Sequence, residues 1–362
     1  VTAGAQSPVC LADYERLAEQ RLGAMAWAYF SGGSADEITL GWNRAAFDRL
    51  AILPRVLTGG PGGHTRLNLL GRDHVHPILV APVAYQKLVH GDGERATAAA
   101  AEAQDTVMVL STLASVTLEE AARAGTTCRW FQLYLQRERA ATLSLVRRAE
   151  AAGYEALVVT VDAPINGVRN REHRTGFALP PGIAAENLTD ITAPAVPLAP
   201  GASGVFDGLM ATAPTWEDVA WLRSATKLPI VLKGILSAED AVRAVEAGVA
   251  GIVVSNHGGR TLDTLPATID ALPAVAAAVQ GRVSILLDGG IRRGTDVLKA
   301  LALGASAVMV GRPVVYGLAV NGAFGVAHVL RLLRDEFEIA MALSGCRTLA
   351  DIGPHLVLRA TP

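Results

Sequence analysis

The chain has 362 residues, 51% hydrophobic and 18% charged, with 36 Gly, 18 Pro and 3 Cys. That composition excludes collagen, coiled coil and a disordered tail, and fits one large or two ordinary globular domains. Thirty-four acidic against 32 basic side chains give a formal charge of −2, so no net positive field draws the protein onto nucleic acid. Apolar runs such as 24–30 and 300–310 fall short of the roughly 20 residues that a membrane-spanning helix needs. Cys10, Cys128 and Cys346 are too scattered for a CxxC pair or a disulfide framework, and no metal site is expected. Residues 1–10 lack a basic stretch followed by an apolar core, which sets the expectation of a cytoplasmic protein.

In chain order, residues 1–76 read as an N-terminal helical extension. A repeat then begins in which a helix-like stretch ends at glycine and a β-branched run follows, as in 151–160 (AAGYEALVVT), 246–255 (EAGVAGIVVS) and 301–310 (LALGASAVMV). Gly153, Gly248 and Gly304 suit the left-handed position after a helix, and apolar strands without polar alternation suit a parallel sheet covered on both faces. Strands are predicted at 77–85, 106–112, 129–135, 156–162, 229–234, 251–257, 283–289 and 307–311. Helices are predicted at 138–152, 216–225, 238–246 and 295–303, with Thr215 and Ser237 as N-caps. Eight such units are the count of a (β/α)8 TIM barrel, an α/β fold. The chain therefore reads as a single domain, 1–362, with the barrel at 77–345 and a C-terminal tail at 346–362. A Pro-, Ala- and Gly-rich connection at 164–214 reads as a flap over the catalytic face.

In such barrels the C-terminal strand ends build the site. Here they carry Ser111, Gln132, Tyr134, Thr160, Asp162, Lys233, Ser255, His257, Asp288, Gly311 and Arg312, each a polar or glycine interruption of an apolar run. Burying such polar groups unpartnered costs roughly 2–7 kcal/mol apiece, so a ligand or a network must compensate. Strand seven ends in 288–294 (DGGIRRG) before a helix and strand eight in 311–313 (GRP). Backbone amides, a helix N-terminus and guanidinium groups thus converge where such barrels often hold phosphate.

His257, within 255–260 (SNHGGR), is the candidate base, because imidazole titrates near neutral pH and the glycines let a substrate approach. Asp162 either orients it or forms a structural ion pair with Arg169. Lys233, one of four lysines in the chain, interrupts a buried strand and needs an anionic partner. It reads either as a Schiff-base lysine of a phosphate-binding isomerase or lyase, or as a fixed cation beside an electron-accepting cofactor.

Taken together, 255–260 (SNHGGR), 288–296 (DGGIRRGTD), 131–134 (FQLY), 160–162 (TVD) and 81–84 (APVA) resemble the FMN-dependent α-hydroxy-acid oxidase and dehydrogenase family. The similarity runs from about Leu11 to Leu349 and selects the second reading of Lys233. It implies FMN as cofactor, with Lys233 beside the flavin N1 region, Ser111, Gln132 and Thr160 bonded to the ring, and the backbone of Pro82, Val83 and Ala84 on the N5 side. Ser255 is counted with these contacts. Arg292 and Arg312, with amides near Asp288, Gly290 and Gly311, are implied to hold the phosphate and ribityl chain. Arg260, Arg169 and Tyr29 are implied to bind the substrate carboxylate, Tyr134 the reacting hydroxyl, and His257, backed by Asp162, to take a proton. The implied reaction oxidises an (S)-2-hydroxy acid to the 2-oxo acid, with O2 or another acceptor, in a homo-oligomer, commonly a tetramer. Leu113 and Tyr85 stand where glycolate oxidases carry tryptophan and methionine. They resemble the hydroxymandelate and mandelate oxidase branch, so a bulky or aromatic substrate is expected.

Overall fold

The computed structural model describes residues 7–125, 128–191 and 198–360. The start of the 1–10 segment, residues 192–197 of the expected flap and the last two residues of the tail lie outside the described residues. Eight parallel strands close into a barrel: β1 (Ile78–Val80), β2 (Met108–Leu110), β3 (Arg129–Leu133), β4 (Ala156–Thr160), β5 (Ile230–Ile235), β6 (Gly251–Val254), β7 (Ser284–Leu287) and β8 (Ala307–Val310). Closure comes from β8 pairing with β1, Val308 opposite Ile78 and Val310 opposite Val80.

Every predicted strand is present, and most are shorter than predicted because the polar residues at their ends leave the ladder. The apolar continuity of the strands has a direct cause. Alternate residues such as Leu79, Val109, Trp130, Val158, Val231 and Met309 fill the barrel interior, while Leu157, Val159, Leu232 and Ile252 pack outward against helices. Both faces are dry, so neither tolerates polar alternation. Gly153, Gly248 and Gly304 adopt φ of 78°, 74° and 111°, the left-handed ending anticipated for their helices.

The predicted helices form as Arg139–Ala151, Trp216–Ala225, Ala238–Glu246 and Gly294–Ala302. The Ser237 hydroxyl accepts the Asp240 amide at 3.0 Å, as a cap should. At Thr215 the bond runs the other way, the Thr215 N–H donating to the Asp218 carboxylate at 2.9 Å.

The segment before the barrel is not purely helical. After α1 (Leu11–Arg21), α2 (Ala24–Ser31) and α3 (Ile38–Asp48) comes a hairpin, Leu67–Leu69 against Arg72–His74, whose Leu69 plugs the N-terminal mouth of the barrel. The strand Leu50–Ile52 pairs with Val357–Arg359 and ties the chain's two ends together. The 32-residue helix Arg312–Leu343 is long and apolar enough to cross a membrane by length and composition. It is, however, two helices meeting at Asn321 and Gly322, with 67% of its most apolar window buried against the rest of the protein. It is a core element.

Candidate active site

A cavity of about 640 Å³ opens at the C-terminal ends of the strands, within the size range of a cofactor or substrate site. Its floor is a polar network that crosses from strand to strand. Gln132 is its hub: its Oε1 accepts from the Ser111 hydroxyl at 3.3 Å and the Thr112 amide at 3.1 Å, and its Nε2 donates to Thr160 Oγ1 at 3.0 Å. Thr160 lies opposite Lys233 in the β4–β5 register. Lys233 Nζ donates to Ser255 Oγ at 2.9 Å, and Ser255 Oγ accepts the His257 amide at 3.1 Å.

The Lys233 ammonium lies 3.1 Å from Asp288 Oδ2, both side chains being buried. Burial alone would depress its pKa, but the Asp288 and Asp162 charges outweigh burial and raise it. A lysine held protonated in this way is a poor imine-forming nucleophile, which disfavours the isomerase or lyase reading. The other oxygen, Asp288 Oδ1, is buried with no protein partner. Such an atom needs a donor from a ligand.

The phosphate end differs in one respect from the sequence reading. The N-terminus of the helix Gly294–Ala302 is closed: the amides of Arg292 and Arg293 donate to Asp296 Oδ2 at 2.8 and 2.9 Å, and that of Gly294 to Glu336 at 2.9 Å. Arg44 also bonds Asp296, at 2.6 Å. What faces the cavity is instead the turn Gly289–Ile291 and the start of the helix at Gly311–Arg312. Gly289 and Gly290 have φ of 93° and 84°, and a Cβ on Gly290 would lie 2.1 Å from the Asn43 carbonyl oxygen of α3. Only glycine lets this turn pass so close to the extension. The Arg312 guanidinium is half-buried and donates to the carbonyls of Phe30, Gly258 and Gly32 at 3.0, 2.9 and 2.8 Å. Three of its five N–H groups are thereby used and two remain. Burial lowers its pKa to about 10. Arg292 also lines the cavity, 3.7 Å from Glu15 of α1.

Facing this end, His257 adopts φ 57°, followed by Gly258 and Gly259 at 66° and 74°. The left-handed histidine is a strained position for a side chain of this kind. Its Nδ1 lies 3.0 Å from Asp162 Oδ1, and its Nε2 lies 3.5 Å from the Tyr134 hydroxyl. Asp162 therefore pairs with His257 and not with Arg169. Burial is the largest influence on His257 and holds its pKa below the ordinary imidazole value, against the pull of Asp162. Burial would raise Asp162, but the charge and bond of His257 prevail and hold it low. At neutral pH this gives an ionised carboxylate behind a neutral imidazole whose unprotonated Nε2 faces the Tyr134 hydroxyl.

The cationic wall comes from Arg169 and Arg260. Burial, then repulsion by Arg260, brings the Arg169 pKa down to about 10, and its Nη1 is buried without a partner. Arg260 lies 5.0 Å over the Tyr29 ring and donates to the carbonyls of Tyr29 and Gly32. Tyr29 in turn stacks on Phe177 at 4.7 Å and 15°, and lies 6.0 Å from Tyr85. Tyr85 adopts φ 54°, and its amide donates to the Leu113 carbonyl at 3.1 Å. Pro82, Val83, Ala84, Tyr85 and Leu113 all line the cavity.

The first part of the expected flap folds over the mouth through the short helix Asn170–Arg174 and Phe177. Sequence reasoning missed Phe177, Glu172 and Glu94. Glu94 is fully buried and accepts from the Gln86 amide at 3.0 Å and the Ser115 amide at 2.9 Å, bracing the loops that carry Tyr85 and Leu113. A single acid at the start of an alanine-rich helix reads as a solvated end. Glu172 sits in an arginine-rich run, where a solvated ion pair is the ordinary reading.

The profile of the FMN-dependent dehydrogenase family matches residues 18–359. An L-lactate oxidase of Nostoc sp. is 52% identical over 353 residues, covering 96% of this chain and 97% of its own. A glycolate oxidase of Spinacia oleracea is 47% identical, covering 94% and 93%. The crystal structure of a mandelate oxidase with (S)-2-phenylpropionate superposes with a TM-score of 0.88 at 45% identity, covering 97% of this chain and 98% of its own.

Proposed function

The chain belongs to the FMN-dependent dehydrogenase family and is an FMN-dependent 2-hydroxy-acid oxidoreductase; from that premise we propose that it oxidises an (S)-2-hydroxy acid with a bulky or aromatic, mandelate-like side chain, using His257 as base and O2 as final acceptor. One observation carries the reading: the His257 imidazole, held by Asp162 at 3.0 Å, shares one cavity with the guanidinium pair Arg169 and Arg260. The net reaction is R–CHOH–COO⁻ plus O2 giving R–CO–COO⁻ plus H2O2.

The residues present fit FMN: the unpartnered Asp288 Oδ1 calls for a hydroxyl donor, the Gly289–Gly290 turn leaves room that no side chain could occupy, and the protonated Lys233 suits a group that gains negative charge. Ser111, Gln132, Thr160, Lys233 and Ser255 hold the ring side, with the backbone of Pro82 to Ala84. Gly290, Arg292, Gly311 and Arg312 would hold the phosphate, and Asp288 would accept from a ribityl hydroxyl. FMN, when bound, supplies acceptance of the two electrons that leave the substrate and their passage to O2.

Arg260 and Arg169 fix the substrate carboxylate, which removes its rotational freedom before chemistry. Tyr29 closes that side, and the Tyr134 hydroxyl meets the reacting oxygen. His257 Nε2 accepts the departing proton, and Asp162 stabilises the imidazolium that results. The cover formed by Asn170–Arg174 and Phe177 limits access of water to these charges, which strengthens each of them. Tyr29, Tyr85, Phe177 and Leu113 supply an apolar and aromatic wall for a large side chain. The 52% identity to L-lactate oxidases favours a second reading in which the side chain is as small as methyl.

The test is anaerobic reduction of the yellow holoenzyme with a panel running from lactate to mandelate, followed by admission of air and measurement of H2O2. Mandelate should show the larger kcat/KM, and the His257→Gln variant should keep its colour and lose reduction. A panel led by lactate establishes the second reading, and unimpaired reduction in the variant refutes His257 as base.

A further inference from the structure

Arg260 presents five N–H donors. Two, on Nη1, go to the carbonyls of Tyr29 and Gly32, and one, on Nη2, goes to Glu172 Oε1 at 3.1 Å. Two remain, the number that one carboxylate accepts in a bidentate contact. Glu172 and Arg260 each retain only 17% side-chain exposure, so bulk water does little to screen them. Arg169, whose guanidinium is buried beside Arg260, also feels Glu172. Arg169, Arg260 and Glu172 together are two cations and one anion, a charge of +1 for this trio.

We propose that Glu172 is a specificity-determining residue that restricts the site to 2-hydroxy acids with one carboxylate, by neutralising one of the two guanidinium charges and repelling a second acidic group in the substrate side chain. The proposal rests on the 2-hydroxy-acid reading given above. A single carboxylate brings the local charge to zero with every remaining Arg260 donor used. A second one, as in malate, leaves the site at −1 with its extra charge in the same cavity as Glu172. At an effective dielectric constant near 20 and a separation of roughly 6–8 Å, that repulsion corresponds to a discrimination of about 30- to 100-fold. The cation on the aromatic wall, Arg260 at 5.0 Å over the Tyr29 ring, is the one already paired with Glu172.

The experiment compares (S)-malate with its 4-methyl ester, which keeps the chain and removes one charge, on the FMN-loaded enzyme. Wild type should favour the ester in kcat/KM by about 30-fold or more. Glu172→Gln should narrow that preference at least tenfold, whatever its effect on the absolute rate, and Glu172→Asp should retain it within about threefold. Equilibrium binding of the unreactive pair acetate and malonate, by calorimetry, should show the same pattern without turnover: malonate gains on acetate in Glu172→Gln alone. An ester-to-malate ratio that is unchanged in Glu172→Gln overturns the proposal while the oxidase reading stands, as does a wild type that oxidises both equally. A wild type reduced by no 2-hydroxy acid overturns both.

Discussion

Replacing Asp162 by Asn keeps the volume beside His257 and removes the charge. The Nδ1 to Oδ1 distance is 3.0 Å and the Asp162 side chain is only 8% exposed. With charge centres about 4 Å apart and an effective dielectric constant near 20, the carboxylate stabilises the imidazolium by about 4 kcal/mol, a factor near 10³ in rate. The imidazole is 23% exposed, and the water this admits reduces the effect, so a loss of 10²- to 10³-fold in the rate of anaerobic reduction is expected. The Asn amide can also donate to Nδ1, which would place the ring proton on Nε2 and deepen the loss. The pH dependence has a definite sign. Asp162 pulls the His257 pKa upward, so without it the pKa falls further. Because the base works unprotonated, the acidic limb of kcat/KM moves to lower pH in the variant. Stopped-flow reduction across pH 5–8 reads both effects. A rate within about fivefold of wild type, with an unmoved limb, would refute the assignment of the pair.

Four further outcomes follow from other parts of the structure. His76 is buried, bonded to the Gln104 carbonyl at 3.0 Å and Thr106 at 3.1 Å, and its pKa is lowered to about 4, chiefly by burial. The unfolded chain therefore binds more protons than the folded one between about pH 6.5 and 4, so stability falls by up to about 3 kcal/mol as pH drops through that window. Urea titrations at pH 7 and 5 should show this loss shrinking in His76→Gln. Lys233→Met strands a buried Asp288 charge, and the apoprotein should lose about 3–5 kcal/mol, largely restored by the double variant with Asp288→Asn. Thermal melts of the wild type and the two variants test it. Gly290→Ala should lower both Tm and FMN retention through the 2.1 Å clash with Asn43, whereas Gly176→Ala, at φ 62° with nothing within 4 Å, should show only the small backbone cost. Leu113→Trp narrows the pocket and should lower the mandelate-to-lactate ratio of kcat/KM at least tenfold, as measured by initial rates.

The barrel was legible in the sequence because its period is local. Three helices end on a glycine that turns left-handed, and the strands that follow are apolar on both faces, so Gly153, Gly248 and Gly304 with their following strands identify the repeat without any tertiary information. The strand-end residues were legible for the same reason: Gln132, Lys233 and His257 are polar interruptions in otherwise dry segments, and their compensation by a network was a physical necessity. What the sequence could not decide is which polar groups consume one another. The Arg292 to Gly294 amides looked available, and it is Asp296 and Glu336, the latter 42 residues away from Gly294, that close them and leave the Gly289 turn and the Gly311 end open. Glu172 looked like one more solvated charge until the fold placed it 3.1 Å from Arg260, 88 residues away. Hydrogen bonding and charge pairing across such separations depend on distances that only the closed barrel and its cover fix. The reaction class followed from residue identity and order, whereas the open donors and the net charge that receives the substrate were decided by tertiary structure.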